Sequence, residues 1–170
     1  MTTLTLDRPL LRTALLDVLL CSVAVAVPTL SHAAAFPLYL FDPMRLLVFA
    51  AILFSARGNA LALALALPLL SWLTGGHPVF PKFVLIQGEL ALNVIVFHAL
   101  WRRWGRFLPA AALSVVAAKG VYYMAKFLLL RAALLDGSLV ATAWIHQFVT
   151  LSVILIAGGL VFRGRPRARS

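Results

Sequence analysis

Six apolar stretches separated by short polar links dominate this 170-residue chain, and they decide its solvent before anything else. A helix crossing a bilayer takes about 20 mainly apolar residues, with a range of about 17–25. Segments 13–30, 44–56, 59–74, 81–101, 108–130 and 138–162 meet or approach that length. Hydrophobic residues make up 63 % of the chain and the mean hydropathy is +1.00. Soluble domains carry about 45–50 % apolar residues, so in water this chain would expose large greasy surfaces. The fold class read from the sequence is all-α: a polytopic membrane protein, one domain over residues 1–170 with six transmembrane helices.

Two features bend that plan. The second span is short, and only Arg57-Gly58-Asn59 separates it from the third. The pair is expected to form a tight hairpin whose outer ends are shielded by other helices. Pro28 and Pro68 lie inside spans and predict kinks or early ends. The alternating Ala-Leu run at 60–67 has the period of a strand. Inside a longer apolar stretch it reads as a helix, with Ala60/Ala64 and Ala62/Ala66 as small-xxx-small packing pairs.

Basic residues set the orientation. The formal net charge is +10, and the basic residues cluster at span ends, where they are a topology signal. Arg8, Arg12, Arg57, Arg102, Arg103, Arg106, Arg163, Arg165, Arg167 and Arg169 fall on one side of a six-span layout. The other side has Arg45, Lys82 and Arg131, offset by Asp42 and Asp136. Both termini are therefore expected in the cytoplasm, with the chain in a cytoplasmic membrane. Trp101 and Trp104 suit an interfacial anchor. A nucleic-acid partner needs a basic patch on a soluble face, and this layout provides none. The N-terminus also resembles a secretory signal, with Arg8 and Arg12, an apolar run and small residues at Ser31-His32-Ala33-Ala34. The single cysteine, Cys21, lies in an apolar run and reads as an inert buried thiol.

Polar residues inside the spans are the candidates for function. A helix turns about 100° and rises about 1.5 Å per residue. Lys82, Glu89 and Asn93 share one face of the fourth span, and Gln87 points elsewhere. Lys119, Tyr122, Tyr123 and Lys126 share a face of the fifth. Thr142, His146 and Thr150 form a stripe on the sixth, with Gln147 at its edge. Counted from the outer ends, Glu89 and His146 lie roughly 12 Å deep, Lys126 roughly 6 Å and Lys119 roughly 16 Å. Ammonium groups at such depths need partners. Three helices can thus present polar groups to one cavity open to the outside. The expected ligand-contacting set is Glu89, Asn93, Lys119, Tyr123, Lys126, His146 and Gln147. The bland readings stand beside it: Lys126 snorkels outward, Glu89 and Lys119 form an ion pair that sets helix register, and His146 hydrogen-bonds a carbonyl.

The loop Thr74-Gly75-Gly76-His77-Pro78-Val79-Phe80-Pro81-Lys82 allows a sharp reversal, and Pro81 can start the next helix. It reads as a rigid turn or as a gate, with His77 and Lys82 at the outer mouth. The other outer loop, 32–43, is long enough to fold over that mouth and carries Phe36, Tyr39, Phe41 and Asp42. Gly-x-Ser-x-Gly, His-Glu-x-x-His, Cys-x-x-Cys and Walker patterns are missing. No cofactor is expected. A three-ligand metal site from His77, His146 and Glu89 is a minor alternative.

The stretch from Asp42-Pro43-Met44-Arg45 through Gly76-His77-Pro78-Val79-Phe80-Pro81-Lys82 to Glu89-Leu90-Ala91-Leu92-Asn93 resembles bacterial proteins grouped with the substrate-binding S components of energy-coupling factor (ECF) vitamin transporters. The length, the six spans and the polar outer pocket are similar as well. The resemblance implies a membrane-embedded solute binder without an ATPase of its own. It implies a transmembrane coupling protein and two cytoplasmic ATPases as partners, and release of substrate by toppling. It also implies ligand contacts from loops and the last three helices. The family's Ala-xxx-Ala coupling face on the first helix is matched here only by Ser22-xxx-Ala26.

The leading expectation is an S-component-like binder for a small polar metabolite or vitamin. The surplus of Lys119 and Lys126 over Glu89 favours an anionic ligand, and the tyrosines offer faces to a flat ring. A second class is a non-transport scaffold similar to the rod-shape protein MreD, in which the internal charges set register. A third is a small intramembrane enzyme on lipid, with His146 as base and Glu89 as acid.

Overall fold

A computed structural model describes residues 8–33, 35, 38–75, 78, 80–140 and 143–163. Those residues form an all-helical structure of six α-helices. They are α1 (Arg8–Ala33), α2 (Pro43–Phe54), α3 (Arg57–Gly75), α4 (Lys82–Trp104), α5 (Phe107–Arg131) and α6 (Trp144–Arg163). A 3-10 turn, Leu38–Phe41, leads into α2. Three stretches are long and apolar enough to cross a membrane: Lys82–Trp104, Phe107–Arg131 and Trp144–Phe162. The chain has the make-up of a membrane protein. Helix α2 has 12 residues, so it rises only about 18 Å, well short of a hydrocarbon core of about 30 Å.

The exposed surface is apolar, as lipid-facing helices require. Leu15, Val18 and Leu19 on α1 are exposed, and so are Trp144, Ile145, Phe148, Ile156 and Leu160 on α6. What is buried follows helical spacing and small side chains. On α5, Ala110, Ser114 and Ala118 are fully buried one turn apart, so α4 can approach closely. On α3 the buried set is Ala60, Leu63, Ala64, Leu67, Pro68 and Ser71. That spacing belongs to a helix, and it resolves the Ala-Leu run. Of the two small pairs, Ala60/Ala64 packs inward, while Ala62 is exposed and Ala66 half-buried.

Neither internal proline ends its helix early: α1 runs on to Ala33 and α3 to Gly75. Gln87, expected to point away from the polar face of α4, does so. Its side-chain amide donates to the Leu65 carbonyl of α3 at 2.6 Å, one turn before Pro68, which tethers the two helices through backbone.

At the Gly105 end of the bundle an aromatic cluster joins α4, α5 and α6. Phe107 lies 5.5 Å from Phe97 and 5.0 Å from Phe162, and Trp101 lies 4.7 Å from Phe162. Trp101 therefore packs into the bundle, and of the two tryptophans read as an anchor only Trp104 is exposed. The α4–α5 reversal is tight because Gly105 takes a left-handed conformation (φ 60°) and its N–H caps Trp101. Gly158 on α6 lies under the Phe107 ring, so a Cβ there would come within 1.9 Å of it.

Candidate functional site

The charged centre sits where α2, α4 and α5 meet. Arg45 is the third residue of α2, only 3 % exposed, and Glu89 on α4 is 5 % exposed. The Arg45 guanidinium donates from Nη2 to Glu89 Oε1. The same nitrogen lies 3.1 Å from Asp42 Oδ2. Lys119 on α5 places its Nζ 3.1 Å from Glu89 Oε1 and 3.5 Å from Asp42 Oδ2. Two cations and two carboxylates thus form a closed square. Such deep charges persist only when paired, since each alone in apolar surroundings is costly. Lys119 Nζ also stands 5.3 Å from the Tyr122 ring and 5.9 Å from the Tyr123 ring, so its exposed side is lined by aromatic faces.

Asp42 precedes α2 and is the most open corner of the square, at 28 % side-chain exposure. Its backbone is left-handed (φ 49°, ψ 57°), a region that aspartate tolerates better than most residues and glycine best. Burial works against its ionisation. Arg45 and Lys119 supply the opposing charges that keep it paired.

Of the sequence-predicted residues, the structure brings Glu89 and Lys119 together. The others find different partners. Asn93 is 1 % exposed and accepts from Ser114 Oγ at 3.2 Å, a link between α4 and α5. Gln147 donates to the Tyr123 hydroxyl at 2.8 Å, joining α6 to α5. Lys126 does not snorkel: at 3 % exposure it donates to the Ser138 and Leu139 carbonyls at 2.8 and 2.9 Å. Its charge holds the α5–α6 link, and α6 starts at Trp144 rather than at the expected 138. His146 packs edge-on against Phe41, with ring centroids 5.2 Å apart. Lys82 is half-buried as the first residue of α4, while His77 lies outside the described residues. Among the described residues, no group of three His, Cys, Asp or Glu stands close enough to hold a metal ion.

From sequence Arg45 reads only as an outer-side topology charge, and Asp42 as such a charge on the outer loop that can fold over the mouth; the square needs both. The signal that finds them is the short second span. A 13-residue helix rises about 20 Å. If its other end reaches the interface, its start lies roughly 10 Å below the outer surface, close to the depth inferred for Glu89. With those two residues included, the square holds equal numbers of cations and carboxylates, which corrects the positive surplus expected from Lys119, Lys126 and Glu89.

The segment before α2 ties the square to α6. Thr150 Oγ1 donates to the Phe41 carbonyl at 2.8 Å, and the Leu38 N–H donates to Ser31 Oγ of α1 at 3.1 Å. Two buried nitrogens close to this centre in sequence carry no hydrogen bond among the described residues, Arg45 Nε and Asn93 Nδ2; a third, His146 Nδ1, belongs to α6. Buried polar atoms in native proteins are nearly always satisfied by protein, water or ligand. The chain matches no family model, no curated protein and no solved structure.

Proposed function

We propose that this chain is a membrane-embedded binding protein for a small polar solute, similar in plan to ECF S components. In this reading it crosses a bacterial inner membrane six times with both termini in the cytoplasm. The solute enters from the outer side and is held near Arg45, Glu89 and Lys119. Tyr123 and Gln147 line the approach from α5 and α6. The chain binds rather than catalyses, and it hands its cargo on with the help of a transmembrane coupling protein and two cytoplasmic ATPases.

The carrying observation is the paired-charge square with buried, unpartnered Arg45 Nε beside it. Buried ion pairs are weak stabilisers, and apolar replacements often do as well. A site for a polar solute gives such a square a use that bundle stability alone does not supply. The dispersion of the histidines weighs against catalysis: His146 engages Phe41, and Glu89 engages Arg45 and Lys119. One observation favours the scaffold reading instead. Each of the four charges already has protein partners, as a pure register device would.

Native mass spectrometry of the protein released gently from membranes separates the two. A co-purifying small molecule that is retained by Lys126→Met and lost in Lys119→Ala supports solute binding. Its absence, together with capture of cell-wall synthases in place of ATPases and a coupling protein, supports the scaffold.

A further inference from the structure

We propose that Asp42 is a tethered stand-in for a carboxylate of the solute, which makes the ligand class a small carboxylic acid. This rests on the solute-binding reading above and names the group that the site recognises. Four features of Asp42 set it apart from Glu89. It is the exposed corner, at 28 % against 4 % for the Glu89 side chain. It belongs to the segment entering α2 rather than to the body of a helix. Its contacts to the cations, 3.1 and 3.5 Å, include the longest in the square. Its left-handed backbone is one that aspartate tolerates and glycine favours, unlike the helical backbone of Glu89.

The chemistry of the exchange is balanced. With Asp42 in place, Arg45 and Lys119 face two carboxylates and neither cation of the square is left unpaired. When a solute carboxylate takes Asp42's position, the square keeps two positive and two negative charges. Asp42 turns outward to water, where a free carboxylate is well solvated. The guest gains a donor that Asp42 leaves unused, because both protein carboxylates share Nη2 and Arg45 Nε is buried without a partner. A carboxylate that spans Nε and Nη2 forms the paired contact for which guanidinium is suited. The hinge for this movement is at hand. Phe41 is fastened to α6 through Thr150, and the Asp42 carbonyl accepts from the Arg45 and Leu46 N–H groups at 3.0 and 3.3 Å, so the backbone stays seated and the side-chain torsions of Asp42 carry the swing.

Chemical rescue in the purified, detergent-solubilised full chain tests this without a physiological ligand. Asp42→Gly removes the carboxylate and suits the left-handed backbone. Acetate is titrated against the thermal midpoint of Asp42→Gly and of the unaltered protein, with acetamide and chloride at matched concentrations. The expected result is a saturable rise on the order of 3–6 °C for Asp42→Gly with acetate once the site fills, and a much smaller one for the unaltered protein. Acetamide and chloride produce none. Equal shifts with chloride mean a general ion effect and overturn the proposal, as does no shift at all. Asp42→Asn is the second variant with the same readout. If neither variant folds even in acetate, Asp42 is purely structural and the stand-in role is wrong. Rescue by acetate with no solute found on the native protein leaves this site standing and removes the transport reading.

Discussion

Glu89 is the residue on which the charged centre turns, because it faces both cations. Removing one partner of a buried ion pair strands the other charge, at a cost of about 3–5 kcal/mol. Glu89→Ala is expected to destabilise the bundle by that amount in SDS-driven unfolding. Adding Arg45→Met to it should recover part of the loss, since one stranded cation disappears. A single-variant effect below about 1 kcal/mol would contradict the depth and pairing described above. Lys126 is a different case despite similar burial. Two of its three donors serve carbonyls of the α5–α6 link, which have no helix to satisfy them. Lys126→Met should speed amide exchange across residues 134–140 while leaving any solute bound at the square in place. Exchange confined to the square, with the link unaffected, would show that this clamp is not what holds the segment.

At the scale of elements, glycine positions discriminate between packed and open helix faces. Gly158 lies against the buried Phe107 ring, which is itself held between Phe97, Trp101 and Phe162. Gly158→Ala forces that ring to move, an overpacking cost of about 1–3 kcal/mol. Gly120 on α5 has nothing within 4 Å of the space its Cβ would fill. Gly120→Ala should therefore be neutral or gain up to about 1 kcal/mol from helix propensity. Thermal unfolding of the two variants side by side checks the packing of α5 on α6. Equal effects would mean that this interface is not formed as described.

For the molecule as a whole, the proposed six crossings with cytoplasmic termini predict a sidedness pattern. In a Cys21→Ser background, Arg57→Cys and Arg103→Cys should react with an impermeant thiol reagent only from the cytoplasmic side. Asp136→Cys should react only from the outer side. Labelling of Arg57→Cys and Asp136→Cys from the same side would remove the six-span layout and, with it, the outward-facing site.

Much of this is legible in the sequence. Local hydropathy and period depend only on neighbours along the chain, so the helices lie where the apolar runs do. Glu89 and Lys119 stood out because a charge in an apolar run is visible by itself. Arg45 did not, since an arginine at a span end looks like an interface residue until the helix's own shortness is converted to depth. Lys126 was visible as a charge, but its partners were not. A carbonyl carries no signature in sequence, and the last helix had to begin six residues later than expected for Ser138 and Leu139 to offer theirs.

Residue order alone settled the solvent, the helical class and the cost of every charge placed within an apolar run, because all three follow from short-range composition. Only tertiary structure decided which charge meets which. Asp42 and Lys119 are 77 positions apart, and their pairing depends on how three helices pack, a property of distances in space that no window along the chain contains.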